Sequence, residues 1–320
     1  MRFELTEDQR AFASSIDGLL AASDTVAVAR AWADGDSSPG LKLWSRLAEQ
    51  GVNALLVGED VGGMGAGPVE LVVALELLGK YAVPGPWVES VAYLPTALAD
   101  PKLLGALAEG VVATVAVPPH TPYALDADIA EQVFLVEDTA LRPALPTGDP
   151  HISVDRTRRL FALELGDSPD APELADRALD RAFDRAALAT AAQLLGAGER
   201  VLADSVNYVK QRKQFGREIG SYQAIKHALV DVKIALDFAR PLVFGAALDE
   251  VPASAAKVAA ADAAYLASRT GLQVHGAIGY TAEFDLSLWL TKIRALVGAW
   301  GTPAHHRAAL LEGLLEGLTR

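Results

Sequence analysis

Residues 208–232 read YVKQRKQFGREIGSYQAIKHALVDV. They sit inside a run that otherwise carries helical spacing, from Leu174 to Leu248. The run stops to place Arg212, Gln214, Phe215 and Gly216 together, then resumes after Gly220. A core does not need that interruption, so something outside the helix is its natural reason. Two readings stand side by side. In one the bend is a solvated turn, with Arg and Lys facing water and Phe215 pinning it to a neighbour. In the other, the forked donors of Arg212 meet an anionic pyrophosphate. Phe215 then packs beside a planar base, and Gly216 lets backbone come close.

Outward from that bend, the spacing predicts helices near 173–210, 220–247, 252–275, 284–297 and 303–318. The N-terminal third is also helical. Thr6 and Gln9 fit a capping box, and Phe12, Ile16, Leu19 and Leu20 follow at helical spacing. LKLWSRLAEQ (41–50) ends at Gly51, a natural left-handed cap. Pro68 opens PVELVVALELLG (68–79) at the first helical position. Between the two helical parts the period changes. VVATVAV, QVFLVE, HISVD and LFALEL are short β-branched runs separated by Pro, Gly and Asp, and they read as strands. The fold class expected is mainly α, with an N-terminal helical domain over 1–110, a small β domain over 111–168 and a C-terminal four-helix bundle over 169–320. This order is not a βαβ array, which argues against a Rossmann site.

The chain has 320 residues, of which 51% are apolar and 22% charged, enough to build real cores. Its net charge of −13 repels nucleic acids and anionic membranes. There is no cysteine, which excludes disulfides, thiol catalysis and zinc–thiolate sites. The opening MRFELTEDQR lacks an apolar signal core, and LVVALELLGKYAV (71–83) is broken by Glu76 and Lys80. A cytoplasmic protein is expected. GGMGAG (62–67) misses the dinucleotide spacing, because Pro68 stands where the last glycine belongs. His305 and His306 are adjacent, so on a helix they diverge by about 100°. No carboxylate cluster at ligand spacing joins them or His275, so no metal site is expected. Glu283 and Asp285 read as charges at a helix N-terminus.

Three ordered stretches carry a resemblance across nearly the whole chain. They are GVNALLVGEDVGGMGAGPVELVVALELLGKYAVPGPW (51–87), YVKQRKQFGREIGSYQAIKHALVDV (208–232) and GLQVHGAIGYTAEFDLSLWLTKIRAL (271–296). The sequence resembles the acyl-CoA dehydrogenases. That resemblance implies FAD, with an R-x-Q-F-G stretch and a Q-x-x-G ahead of GY gripping the adenosine-pyrophosphate half of a flavin held mainly by a neighbouring subunit. Those roles fall to Arg212, Gln214, Phe215, Gln273 and Gly276, with Gln223 and Thr302 beside them. The reaction implied is α,β-dehydrogenation of an acyl-CoA thioester. A carboxylate takes the α-proton, the β-hydrogen passes as hydride to flavin, and an electron-transfer flavoprotein collects the electrons.

The chain departs from the pattern in two places. VVATVAVPPHTPYALDADIAEQ (111–132) lacks the T-E-P-x-x-G-S-D-like stretch whose backbone and hydroxyls meet the flavin ring. GAWGT (298–302) puts Trp300 where many members carry the catalytic Glu in Y-E-G-T, and indole has no basic lone pair. Other members hold the base in an E-R pair on an earlier helix. FDRAALATAAQLLG (183–196) has Asp184-Arg185 there, one methylene short of Glu. The resemblance therefore implies the short partner subunit of an actinobacterial α2β2 enzyme that acts on steroid side-chain thioesters, with the base in the sister chain. Two alternatives stay open: a self-sufficient homo-oligomer using Asp184, and a flavin-free structural or binding module of the same fold.

Overall fold

The structure, a computed structural model, describes residues 4–166, 171–175 and 177–318. The chain opens with α1 (Glu7–Ala21), α2 (Thr25–Ala33) and α3 (Ser38–Glu49), then α4 (Pro68–Lys80), α5 (Leu94–Ala97) and α6 (Pro101–Ala108). The Thr6–Gln9 box closes reciprocally, with N–H···O distances of 3.2 and 2.9 Å. Gly51 takes φ +82° after α3. A π-helical turn, Glu89–Tyr93, feeds directly into α5.

Five strands follow: β1 (Ala113–Ala116), β2 (Ala124–Leu125), β3 (Gln132–Glu137), β4 (Ala140–Ile152) and β5 (Arg159–Leu165), in the order β1-β3-β4-β5-β2. The β4 segment ALRPALPTGDPHI was expected as strand only at its end. Its prolines hid the rest, because Pro cannot donate to a ladder. Residues Ala140–Pro143 pair with β3 on one edge, and Ala144–Ile152 pair with β5 on the other. Pro146 pairs with β5 alone, Pro150 falls in the irregularity between Thr147 and His151, and Pro143, at the changeover, pairs with β3 while its carbonyl accepts from Gly166. The expected boundary at 168–169 lies outside the described residues.

The C-terminal part holds α7 (Ala178–Gln211), a hairpin of β6 (Lys213–Gln214) and β7 (Arg217–Glu218), then α8 (Gln223–Ala247), α9 (Ala253–His275), α10 (Leu286–Gly298) and α11 (Pro303–Leu318). α7 begins at Ala178 rather than near 173. Arg177 ahead of it is left-handed, at φ +48°. One apolar core runs through both helical parts, joining Leu71, Leu75 and Leu78 of α4 to Leu188, Leu195 and Val201 of α7 and Leu236 of α8. α4 and α7 cross closely. A Cβ on Gly196 would collide with the Glu76 carbonyl, and one on Gly79 with that of Gln193. Glu76, which broke the apolar run in the sequence, takes two hydrogen bonds from Arg240 of α8 at 2.8 and 2.9 Å. Among the described residues, no single helix is long and apolar enough to cross a membrane.

Candidate functional site

The bend at 211–220 is a hairpin between α7 and α8. Lys213 pairs with Glu218 and Gln214 with Arg217. The two-residue loop, Phe215 at φ +53° and Gly216 at φ +80°, has both central residues left-handed, as a type I′ turn requires. Glycine takes that conformation freely, whereas Phe215 is strained by it. The Phe215 ring is 92% exposed. The Arg217 guanidinium lies 3.9 Å from the centre of the Tyr222 ring and is occupied there. The Arg212 and Gln214 side chains are exposed and have no partner among the described residues.

The same end of the bundle collects most of the expected binding residues. Val209 of α7, Leu229 of α8 and Val274 of α9 pack together under the hairpin, with Ile219 and Ile225 at their edge. That cluster brings Gln223, the first residue of α8, and Gln273, in the last turn of α9, to the hairpin side, both exposed. Gly276 follows at φ +67° with open space where a Cβ would point. His275 is buried, its Nδ1 2.7 Å from the Gly271 carbonyl and its ring stacked on Tyr208 at 4.2 Å.

Thr302 is not part of this group. Its hydroxyl caps α11 by accepting the His305 N–H at 3.2 Å. It stands beside Gly301, whose carbonyl faces Lys257 near the start of α9. α9 has 23 residues, so its two ends lie about 34 Å apart.

At that far end Trp300 takes φ +53° and is followed by Gly301 at φ +91°. Its indole is 2% exposed, stacked on Tyr93 at 5.0 Å and edge-on to Phe183 at 6.0 Å. Its carbonyl meets His306 Nε2 at 2.9 Å, while Ser254 Oγ lies 2.9 Å from the other ring nitrogen. Burial pushes His306 down to about 4, so the neutral ring donates to Trp300 and accepts from Ser254. Lys257 donates to the carbonyls of Leu296 and Val297, both at 3.1 Å, and caps the end of α10. Burial lowers its ammonium to about 7. The aromatic filling and its anchors leave no carboxylate at position 300.

Asp184 is exposed on α7 and lines a cavity of about 640 Å³ with Asp138, Asp180, His120, Phe183 and His305. Burial and the neighbouring Asp180 raise its carboxyl above the usual range. The His120 and His305 rings meet at 4.0 Å, tilted by 40°, and burial lowers His120. Among the described residues, no group of three or more His, Asp or Glu side chains gathers at metal-binding spacing. Asp285 stands at the N-terminus of α10 and pairs with Arg30 at 2.7 Å.

Sequence reasoning missed the anchors of the Trp300 turn and the outer face of α8. Val230, Ile234 and Phe238 recur there at i, i+4 and i+8, all exposed, and Phe238 is 74% so. Their spacing was visible in the sequence, but the side they face is set by where α7 and α9 dock.

The N-terminal and C-terminal domain profiles of the acyl-CoA dehydrogenases match residues 6–99 and 176–315. The acyl-CoA dehydrogenase IpdE2 of Mycobacterium tuberculosis is 32% identical over 98% of this chain and 96% of its own length. The chain belongs to the acyl-CoA dehydrogenase family, a family of oxidoreductases whose members bind FAD. Among solved structures, the ChsE4–ChsE5 complex of Mycobacterium tuberculosis shares the fold at a TM-score of 0.85 and 21% identity, covering 99% of both chains. The Tcur3481–Tcur3483 steroid ACAD does so at 0.84 and 22%, covering 98% of this chain and 99% of that one.

The residues present fit one half of FAD. A guanidinium unpaired among the described residues, an exposed ring and two glycines with open space at their Cβ positions are groups whose chemistry suits a pyrophosphate and a planar base. At the Trp300 end packed aromatic rings hold position 300 itself.

Proposed function

We propose that this chain is the non-catalytic subunit of a heteromeric, FAD-dependent acyl-CoA dehydrogenase, an α2β2 assembly in the cytoplasm. Residues 1–110, 111–168 and 169–320 form its three parts. Arg212, Gln214, Phe215, Gln223, Gln273 and Gly276 grip the adenosine-pyrophosphate of a flavin whose ring lies in the sister subunit, and that subunit carries the catalytic Glu. When bound, the flavin supplies the hydride acceptor for α,β-dehydrogenation of an acyl-CoA, and an electron-transfer flavoprotein takes up the electrons. A steroid side chain is the acyl group favoured by the likeness to relatives of that class.

The observation that carries this reading is the Phe215 turn. A bulky residue in the left-handed region is strained by about 1–3 kcal/mol. Among the described residues nothing repays that strain, because the ring is exposed. Contact with another molecule would. The exposed face of α8 supports the same reading, since a row of large apolar side chains asks for a partner. Thr302, at the opposite end of α9, serves the Trp300 turn of its own chain or the ring end of a cofactor reaching in from the partner.

Arg212 supplies charge-assisted, bidentate donors, and Phe215 a flat apolar face. Trp300 fills the place of a base and keeps water and substrate out of it. The test is co-expression with the adjacent acyl-CoA dehydrogenase gene product, followed by an absorbance scan. Half a flavin per chain is expected from shared sites. One flavin per chain contradicts the shared-site reading.

The raised carboxyl of Asp184 beside a cavity favours a second reading, a homo-oligomer that uses this residue as base. On that reading the chain purified alone is yellow and turns over an acyl-CoA, and Asp184→Asn abolishes turnover. An unchanged rate removes it.

A further inference from the structure

Behind the Trp300 turn lies a second, smaller cavity of about 190 Å³. It is formed where the π-helical turn, the segment 120–125, β5 and the end of α10 meet. Three polar groups line it, Glu89, Thr121 and Arg158. Glu89 is buried; the Trp300 indole and backbone act on its carboxyl by hydrogen bonding, and its Oε2 has no partner. Thr121 Oγ1 is likewise buried and unpaired. The Arg158 guanidinium acts on the Glu89 carboxyl electrostatically, yet it pairs with no carboxylate among the described residues. The remaining walls include Leu125, Leu160 and Trp300.

Buried polar atoms almost always have partners, and an unmet one costs about 1–3 kcal/mol. Here two unmet oxygens and a guanidinium with no carboxylate hydrogen-bonded to it among the described residues border the same space. The π-turn that presents Glu89 is itself a rare element, common at functional sites. Both Glu89 and Thr121 can act as hydrogen-bond donors toward the cavity, the first when its carboxyl carries a proton. Burial favours that neutral form.

We infer that this cavity is a binding site for a compact monocarboxylate with a ring or branched apolar body. Its carboxylate bridges Arg158 and Glu89, and its body lies against Trp300, Leu125 and Leu160. The ligand oxygens complete the bonds that Glu89 and Thr121 lack, and Arg158 takes the charge in its fork. The space corresponds to about six waters, too small for a nucleotide and large enough for a single ring. The occupant is a small acid or the acid-bearing end of a longer one.

The site needs neither flavin nor a partner, so it is tested on the full chain alone by calorimetric titration. Benzoate is the probe, and benzamide, of equal shape and no charge, is the control. Benzoate is expected to bind saturably, with benzamide at least about tenfold weaker, or about 1.4 kcal/mol. Arg158→Met is expected to weaken benzoate by at least about tenfold while the melting temperature without ligand stays put. Should that variant fold poorly, Arg158→Lys keeps the charge, loses the fork and should fall between. Competition by a longer ring-bearing diacid separates the acid-bearing end from the free acid, since only an open-ended site admits it. Equal binding of acid and amide would overturn the site. So would full affinity in the Arg158 variants, or the absence of any saturable heat, which would leave ordered water as the occupant. Any of these outcomes leaves the hairpin clasp untouched.

Discussion

Two bulky aromatic residues in this chain adopt the same unfavourable backbone, and each precedes a glycine that is also left-handed. Phe215 and Trp300 both have φ +53°. Phe215 is 92% exposed and Trp300 2%. The Trp300 turn repays its strain internally, by stacking on Tyr93, by the His306 bond to its carbonyl and by the Lys257 cap beneath it. The Phe215 turn has no such return among the described residues. Strain that the fold itself compensates marks a structural role, whereas uncompensated strain points to a partner.

The largest expected effect separates the two turns by stability. Trp300→Ala should lower the unfolding free energy by about 3–5 kcal/mol, as deletion of a buried aromatic does. Phe215→Ala should change it by less than about 0.5 kcal/mol. Denaturant titration of both variants checks this. Comparable losses would mean that the Phe215 ring is also needed for the fold.

A smaller effect concerns pH. Burial lowers His306 to about 4 in the folded chain, against 6.5 when unfolded. As pH falls from 6.5 toward 4, the unfolded state takes up the proton first, so stability is lost. The slope from this residue reaches about 1.4 kcal/mol per pH unit. His306→Gln removes that slope and leaves the hairpin end unaffected. Unfolding curves with the same pH dependence in both proteins would contradict the account of the Trp300 turn.

Much of the helical frame was legible in the sequence. Apolar periodicity placed α8 to α11 within a few residues, because each helix buries one stripe against a common core. The bend was legible too, since Phe-Gly after a cation breaks the period. The outcome for its ring was not. Exposure of Phe215 depends on how α7, α8 and α9 end together, which no local pattern encodes. Trp300 showed the reverse limit. GAWGT revealed a missing carboxylate, but not the buried Lys257 and His306 that hold the turn, because they arrive from the preceding long helix α9 and from the following helix. Glu89 gave no signal, being one acid in an apolar helical stretch. The β4 strand was hidden by prolines that sit at its change of edge, on a singly paired stretch and in its irregularity.

The most direct measurement is the flavin content of the proposed complex between this chain and a catalytic sister subunit, carried out with Arg212→Ala. The guanidinium is expected to contribute about 1.5–3 kcal/mol to holding a pyrophosphate. The variant complex should therefore assemble normally and emerge from gel filtration largely without flavin absorbance. An assembled variant complex with wild-type flavin content would contradict the claim that this hairpin grips a cofactor across the subunit boundary.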